Sequence, residues 1–334
     1  MKTNNTPIIF CVFNRPDLTK ITFNFIKSIK PKTLFLISDG PRNISDEKKI
    51  KEVRSIISDI NWNCKIYKRF RKNNFGCKKS FEDGVGWLFS KYDKMIYIED
   101  DTLISKDFIR FAEENLERYE KNINISVISA QFEFSKYIKK RNSSYIVSPL
   151  MRLQPFATWK RVWRLYEKDI SKIWYNNIFK IKTINKFNNF LYYIYFSLLF
   201  NWASIKALDT WDFGFYCSLI CKLEKHPLAI IPLKNLSKNI GMNHPLATHP
   251  VHKSIENFNT NIKISSLKKI IHPQIIENSK KIDDLVFYSV FFPKRKNFFL
   301  IDIFFLFLRY IHSFIKIFMF KVFKKNYLKK INLS

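Results

Sequence analysis

The sequence predicts an α/β fold on a parallel, doubly wound sheet, and three observations lead there. Short apolar runs alternate with helical patterns through the first half of the chain. The runs are strongly apolar, as strands buried under helices are. Each is followed by a polar loop, and such sheets gather their ligands at the carboxyl ends of their strands.

Residues 7–13, 33–38 and 95–98 read as buried strands, with 64–67 a weaker fourth. Between them, residues 18–29, 46–60, 78–91 and 105–119 carry apolar side chains at helical spacing, several opened by a Ser or Asp cap. Strand–helix–strand alternation places helices on both faces of the sheet. The loops to watch are Asn14-Arg15-Pro16, Asp39-Gly40-Pro41-Arg42 and Glu99-Asp100-Asp101.

The chain has 334 residues, enough for one large domain or two and for a sizeable core. Hydrophobic residues make up 46% and charged residues 26%, which excludes a disordered or collagen-like chain. Only six glycines are present, and neither a dinucleotide-binding nor a P-loop string occurs. The balance of 58 Lys+Arg against 28 Asp+Glu leaves +30, which favours an anionic partner. Cys11, Cys64, Cys77, Cys217 and Cys221 are scattered without a C-x-x-C pair, as reduced cytosolic thiols would be. The apolar run at residues 8–13 is too short for a signal sequence, so a cytoplasmic location is expected.

Two later segments are unusual. Residues 187–205 contain no charge, but Asn188, Asn189, Ser197, Asn201 and Ser204 argue for a buried or membrane-facing helix over one that crosses a bilayer. Residues 298–323 are strongly apolar, yet Asp302, Arg309 and Lys316 recur every seven residues and form one narrow polar stripe. Residues 294–334 hold ten Lys+Arg and one Asp, a net +9. A basic amphipathic helix lying on an anionic membrane surface fits this segment, and a helix packed on the rest of the protein is the competing reading.

Glu99-Asp100-Asp101 crowds three acids at the end of a buried strand, where they repel one another. A divalent cation would explain them, since hard cations take oxygen ligands and leave places for phosphate oxygens. A solvated acidic turn would give the same string. Asn74-Phe75-Gly76 precedes a helix whose N-terminus would suit an anion.

The strings PIIFCVFNRPDLT, LFLISDGPR, NFG at residues 74–76 and IYIEDDTLIS resemble the sugar-nucleotide-binding half of a GT-A glycosyltransferase. They are most similar to the bacterial family related to N-acetylglucosaminyltransferase I, the hemolytic-protein-like glycosyltransferases. Phe156-Ala157-Thr158-Trp159-Lys160-Arg161-Val162-Trp163 resembles that family's WATW segment, and Thr210-Trp211-Asp212 its tWD element. Residues 231–236, Asn239-Ile240-Gly241 and Ala247-Thr248-His249 resemble its closing elements. The resemblance covers residues 6–250. Two positions depart from it: Gln154-Pro155-Phe156 replaces a glycine-rich start, and Phe215-Tyr216 stands where a Trp is usual.

The resemblance implies a GT-A (Rossmann-like) fold with a mixed, mainly parallel sheet over residues 1–255. Its nucleotide-sugar half would be about 1–125 and its acceptor half about 126–255, with a helical extension over 256–334. It implies Asp101 as ligand of Mn²⁺ or Mg²⁺, with His249 a weaker second ligand, and Asp100 near the ribose. Asp39 would meet uracil, and Asn14, Arg15, Gly40, Arg42 and Gly76 would belong to the donor pocket. Asp212 would be the general base of an inverting transfer, with Asp209 the alternative, and Trp159 and Trp211 would stack on sugar faces. The expected partners are a nucleotide-sugar donor (a UDP-sugar), a glycan or lipid-linked acceptor, and the anionic inner face of the cell membrane through residues 294–334, but not nucleic acid. A sugar-nucleotide-forming nucleotidyltransferase is one alternative, and a non-enzymatic basic membrane- or nucleic-acid-binding protein is another.

Overall fold

The computed structural model describes residues 5–132, 134, 142–187, 189–242, 244–247, 263–274, 276, 279–292 and 299–322. The four strands read from the sequence are β1 (Ile8–Val12), β2 (Thr33–Ser38), β3 (Lys65–Phe70) and β4 (Lys94–Glu99). β5 (Thr102–Ile104), β6 (Ile125–Ser129), β7 (Tyr145–Ser148), β8 (Phe156–Trp159), β9 (Leu228–Pro232) and β10 (Ser237–Asn239) follow. Eight strands form one sheet in the order β3-β2-β1-β4-β8-β6-β9-β7, and β10 pairs with β5 separately. The sheet is mixed. β3, β2, β1 and β4 run parallel, as do β6 and β9, whereas β8 is antiparallel to both β4 and β6 and β7 is antiparallel to β9.

Two compact units divide the chain: residues 1–163 with 228–283, and residues 164–227 with 284–334. β9 returns to the sheet beside β6 after the excursion at 164–227.

In the first unit, successive strand residues face opposite sides, and helices cover both. α1 (Pro16–Ile29) sets Phe23 on Phe10, ring centroids 6.0 Å apart. α2 (Ile44–Ser58) packs beside α1, its N-terminus capped by the Asn43 side chain accepting from the Asp46 amide. On the other side, α3 (Cys77–Phe89) lays Trp87 against Phe35 and Phe81 against Tyr97, at 5.1 and 5.0 Å. α4 (Lys106–Arg118) is capped by Ser105 and buries Phe108, Phe111, Ala112 and Leu116, each Phe contributing about 1.5–3 kcal/mol. α5 (Lys160–Trp163) is a single turn after β8.

The second unit is helical. α6 (Ser171–Trp174) and α7 (Ile181–Ile184) are short, α8 spans Phe190–Ser204 and α9 Asp212–Lys222. α10 (Lys280–Val286) contains the boundary between the units, and α11 runs from Phe299 to Val322. The uncharged segment is thus a largely buried helix. Trp174 Nε1 donates to Asn201 Oδ1 at 2.7 Å, and Asn201 Nδ2 donates to Ser313 Oγ at 2.7 Å. Buried Lys186 caps α9 by donating Nζ to the Ile220 and Leu223 carbonyls at 2.6 and 2.5 Å.

His226 lies in this unit against Phe187 and Tyr216, its Nδ1 2.8 Å from the Pro227 carbonyl. Burial lowers its pKa from 6.5 to about 4. The unfolded chain therefore binds the extra proton first, and the stability is present above pH 6.5 and lost as pH falls toward 4. The loss should reach about 3 kcal/mol. Chemical unfolding at pH 7 and pH 4.5 checks this: His226→Gln should flatten that part of the profile, and an unchanged profile would refute it.

Candidate active site

The site grows from the sheet register. Val12 lies beside Ser38 and Cys11 beside Glu99, so the loops leaving β1, β2 and β4 emerge side by side. Arg15, at the start of α1, places Nη2 2.5 Å from Asp100 Oδ1 and Nη1 3.1 Å from Asp101 Oδ2. The acidic loop is held from behind: Thr22 Oγ1 donates to the Asp100 carbonyl and the Ile240 amide to the Asp101 carbonyl, both at 2.8 Å.

The pairing of β10 with β5 brings Asn239-Ile240-Gly241 onto this loop. A Cβ at Gly241 would lie 2.6 Å from both Cβ and Oδ2 of Asp101 and 2.9 Å from Arg15 Nη1. Only glycine permits that approach. Its part in the site was not legible from the sequence, although it ends one of the strings that carry the resemblance.

Three acids in one loop are costly, and their titration reflects it. Burial, then the neighbouring Asp101 charge, raises Glu99 to about 8. Its Oε1 accepts from Tyr97 Oη at 2.7 Å and its Oε2 from Gln154 Nε2 at 2.8 Å. Burial raises Asp100 to about 6 against the opposing pull of the Arg15 guanidinium. Asp100 is 2% exposed; among the described residues its Oδ2 has no hydrogen-bond partner at normal length, although the nearby Phe13 amide favours its charged form.

The residues present fit a hard divalent cation in part. Asp100 and Asp101 supply two carboxylates, and Mg²⁺ commonly takes one or two together with waters and substrate phosphates. Among the described residues no group of three His, Cys, Asp or Glu side chains is arranged around a metal position. His249, the expected second ligand, lies outside the described residues.

Several expected donor residues have other employment. Asp39 is buried and accepts from the amides of Gly40, Phe75 and Gly76 at 2.9–3.1 Å and from Asn74 Nδ2 at 3.2 Å. Its carboxylate clasps the β2 loop to the loop before α3. Gly40 lies against the backbone of Asn73, where a Cβ would come within 2.3 Å, and Gly76 has φ 79°. Asn14 donates Nδ2 to Asp46 Oδ1 at 2.6 Å, and Arg42 donates Nε to Asp46 Oδ2 at 2.8 Å. Arg42 above all, with Asn14, lowers Asp46 to about 2. Asn14 is buried in this network, whereas Arg42 is largely exposed over the Phe13 ring.

The two tryptophans do not offer sugar-stacking faces. Trp159 is 2% exposed and donates Nε1 to the Leu116 carbonyl at 3.0 Å. Trp211 is 4% exposed beside Phe215 in the second unit. Both are core, for the elementary reason that a large aromatic gains most when buried. Asp212 opens α9 half-buried and accepts from the Phe213 amide at 2.9 Å, while Asp209 is exposed in the preceding turn.

No protein-family model matches the chain, and no curated protein matches it in sequence. Solved structures similar to it include a UDP-glucose pyrophosphorylase complexed with UDP-glucose, at 9% identity and a TM-score of 0.27 over 48% of this chain and 78% of that one. A 4-diphosphocytidyl-2C-methyl-D-erythritol synthase from Anaerococcus prevotii matches at 11% and 0.32, over 53% and 78%. Mouse xyloside xylosyltransferase 1 in its apo form matches at 10% and 0.35, over 81% and 98%. Likenesses this remote leave the function to be argued from the chain's own residues.

Proposed function

We propose that the chain is a metal-dependent, inverting glycosyltransferase that moves a sugar from a nucleotide diphosphate, UDP the first to try, to a hydroxyl of a glycan or lipid-linked acceptor. The observation that carries the reading is the cluster of buried Asp100 with Asp101 and Arg15 where three adjoining strands end. The ordered motif resemblance over residues 6–250 supports it.

Asp101, beside Asp100, would hold Mn²⁺ or Mg²⁺, which when bound acts as a Lewis acid toward a leaving diphosphate. Arg15 offsets the mutual repulsion of the two carboxylates and adds a cation where donor phosphates would arrive. Gly241 lets the closing segment lie against both. Asp212 would take the proton of the acceptor hydroxyl as that oxygen attacks the anomeric carbon.

Calorimetric titration with UDP and a panel of nucleotide sugars, with and without Mn²⁺, tests the donor site. Binding only in the presence of metal is expected, and no binding under any metal condition would remove the proposal. For the base, Asp212→Asn should leave UDP affinity within about twofold while transfer falls about 10²–10⁴-fold. Wild-type turnover in that variant, with loss in Asp209→Asn, would transfer the role to Asp209.

A further inference from the structure

The second unit carries a surface that the transferase chemistry does not use. α11 packs on α8 through Leu306, Tyr310, Ser313, Ile317 and Phe320, spaced alternately by four and three residues. That spacing keeps one seam facing a neighbouring helix. The sequence-derived choice between a packed helix and a membrane-facing one is thus resolved on the packed side for one stripe only. The opposite face is apolar too, and it is exposed: Leu300, Phe304, Phe305, Ile311, Ile315 and Phe318 among others, from 51% to 79%.

The exposed surface continues onto neighbouring elements of the same unit. Phe179 stacks on Phe314 at 5.5 Å, and Phe190 lies 6.5 Å from Phe307. Phe179, Ile181 and Phe190 are themselves 58–74% exposed. Basic groups are interleaved with them: Lys180 and Lys182 alternate with Phe179 and Ile181, and Arg309 and Lys321 are exposed on α11. In sequence, Lys294-Arg295-Lys296 precedes α11, and Lys324, Lys325, Lys329 and Lys330 follow it.

We infer that this face is a membrane-docking surface that lies flat in the interface of an anionic bilayer. Apolar side chains would enter the acyl boundary while the interleaved and flanking lysines meet lipid phosphates. Charge decides against a second copy of this chain as the occupant, because it would bring two segments of net +9 together.

α11 is long and apolar enough to cross a membrane by length and composition. Its seam argues for lying flat. From Leu306 to Phe320 it follows α8 for about 21 Å, with Asn201 and Ser313 hydrogen-bonded inside the contact. A crossing α11 would carry that body, with exposed Lys180 and Lys182, into hydrocarbon.

The test is co-sedimentation of the full chain with phosphatidylcholine vesicles, with and without one-quarter phosphatidylglycerol. Binding should be at least tenfold stronger to the anionic vesicles and weaken as salt rises. Phe304→Glu, Ile311→Glu and Phe318→Glu together should abolish it without lowering the melting temperature, since all three side chains are exposed. A tryptophan at position 304 (Phe304→Trp) should be quenched by brominated lipid. Equal binding to both vesicle types, or retained binding by the triple variant, would overturn the inference. A wild-type dimer that the triple variant converts to monomer would assign the face to a second copy instead. Resistance to alkaline extraction from membranes would favour a crossing helix and overturn the flat arrangement.

Discussion

Asp101→Asn should abolish metal-dependent UDP binding, with a loss of at least about a hundredfold, or about 2.7 kcal/mol. The substitution keeps shape and hydrogen-bonding capacity but removes the charge, leaving Arg15 paired with Asp100 alone. A thermal melt of the variant without ligand is the control, because a general loss of folding would lower its melting temperature whereas loss of the metal ligand alone should not. If Asp101→Asn bound UDP and Mn²⁺ as the wild type does, the acidic loop would be a structural turn and the transferase proposal would lose its donor site.

Asp39→Ala should destabilise the first unit by about 3–5 kcal/mol, since it leaves the amides of Phe75 and Gly76 and the side chain of Asn74 without their acceptor. For a unit of this size that is a fall in melting temperature on the order of 10 °C. Asp39→Asn, which keeps one acceptor oxygen, should recover part of it. A purely ligand-binding Asp39 would behave in the opposite way, with stability unchanged and UDP binding lost. Thermal melts without nucleotide separate the two roles.

The sheet was most legible where it is most buried. β1, β2 and β4 read as unbroken apolar runs because helices cover them on both faces, and their trailing loops were identified from the same pattern. The strands β6 to β9 are four or five residues long, and β8 runs against its neighbours, so nothing local marks their place. Site chemistry divides in the same way. Arg15 and Asp100 were nominated from the loops that hold them, and the structure joins them. Asp39 was nominated on the same grounds, but its partners lie about 35 residues away in a loop whose position only the fold supplies. Trp159 and Trp211 failed for a related reason, since an aromatic residue type does not declare whether its face is covered. Gly241 is the reverse case: an unremarkable glycine until β10 meets β5.

The interrupted course of the chain bears on how it emerges from synthesis. α8 ends at Ser204 and meets Leu306 only after about 100 further residues, roughly 5–20 s at ordinary elongation rates. β6 waits about as long for β9, since Ser129 and Leu228 are similarly far apart. Both units therefore pass through a period in which finished apolar surfaces have no partner yet made. Contacts of such sequence separation form slowly once available. Nascent chains halted between residues 204 and 299 should be the ones that chaperones retain, a state invisible in the folded protein.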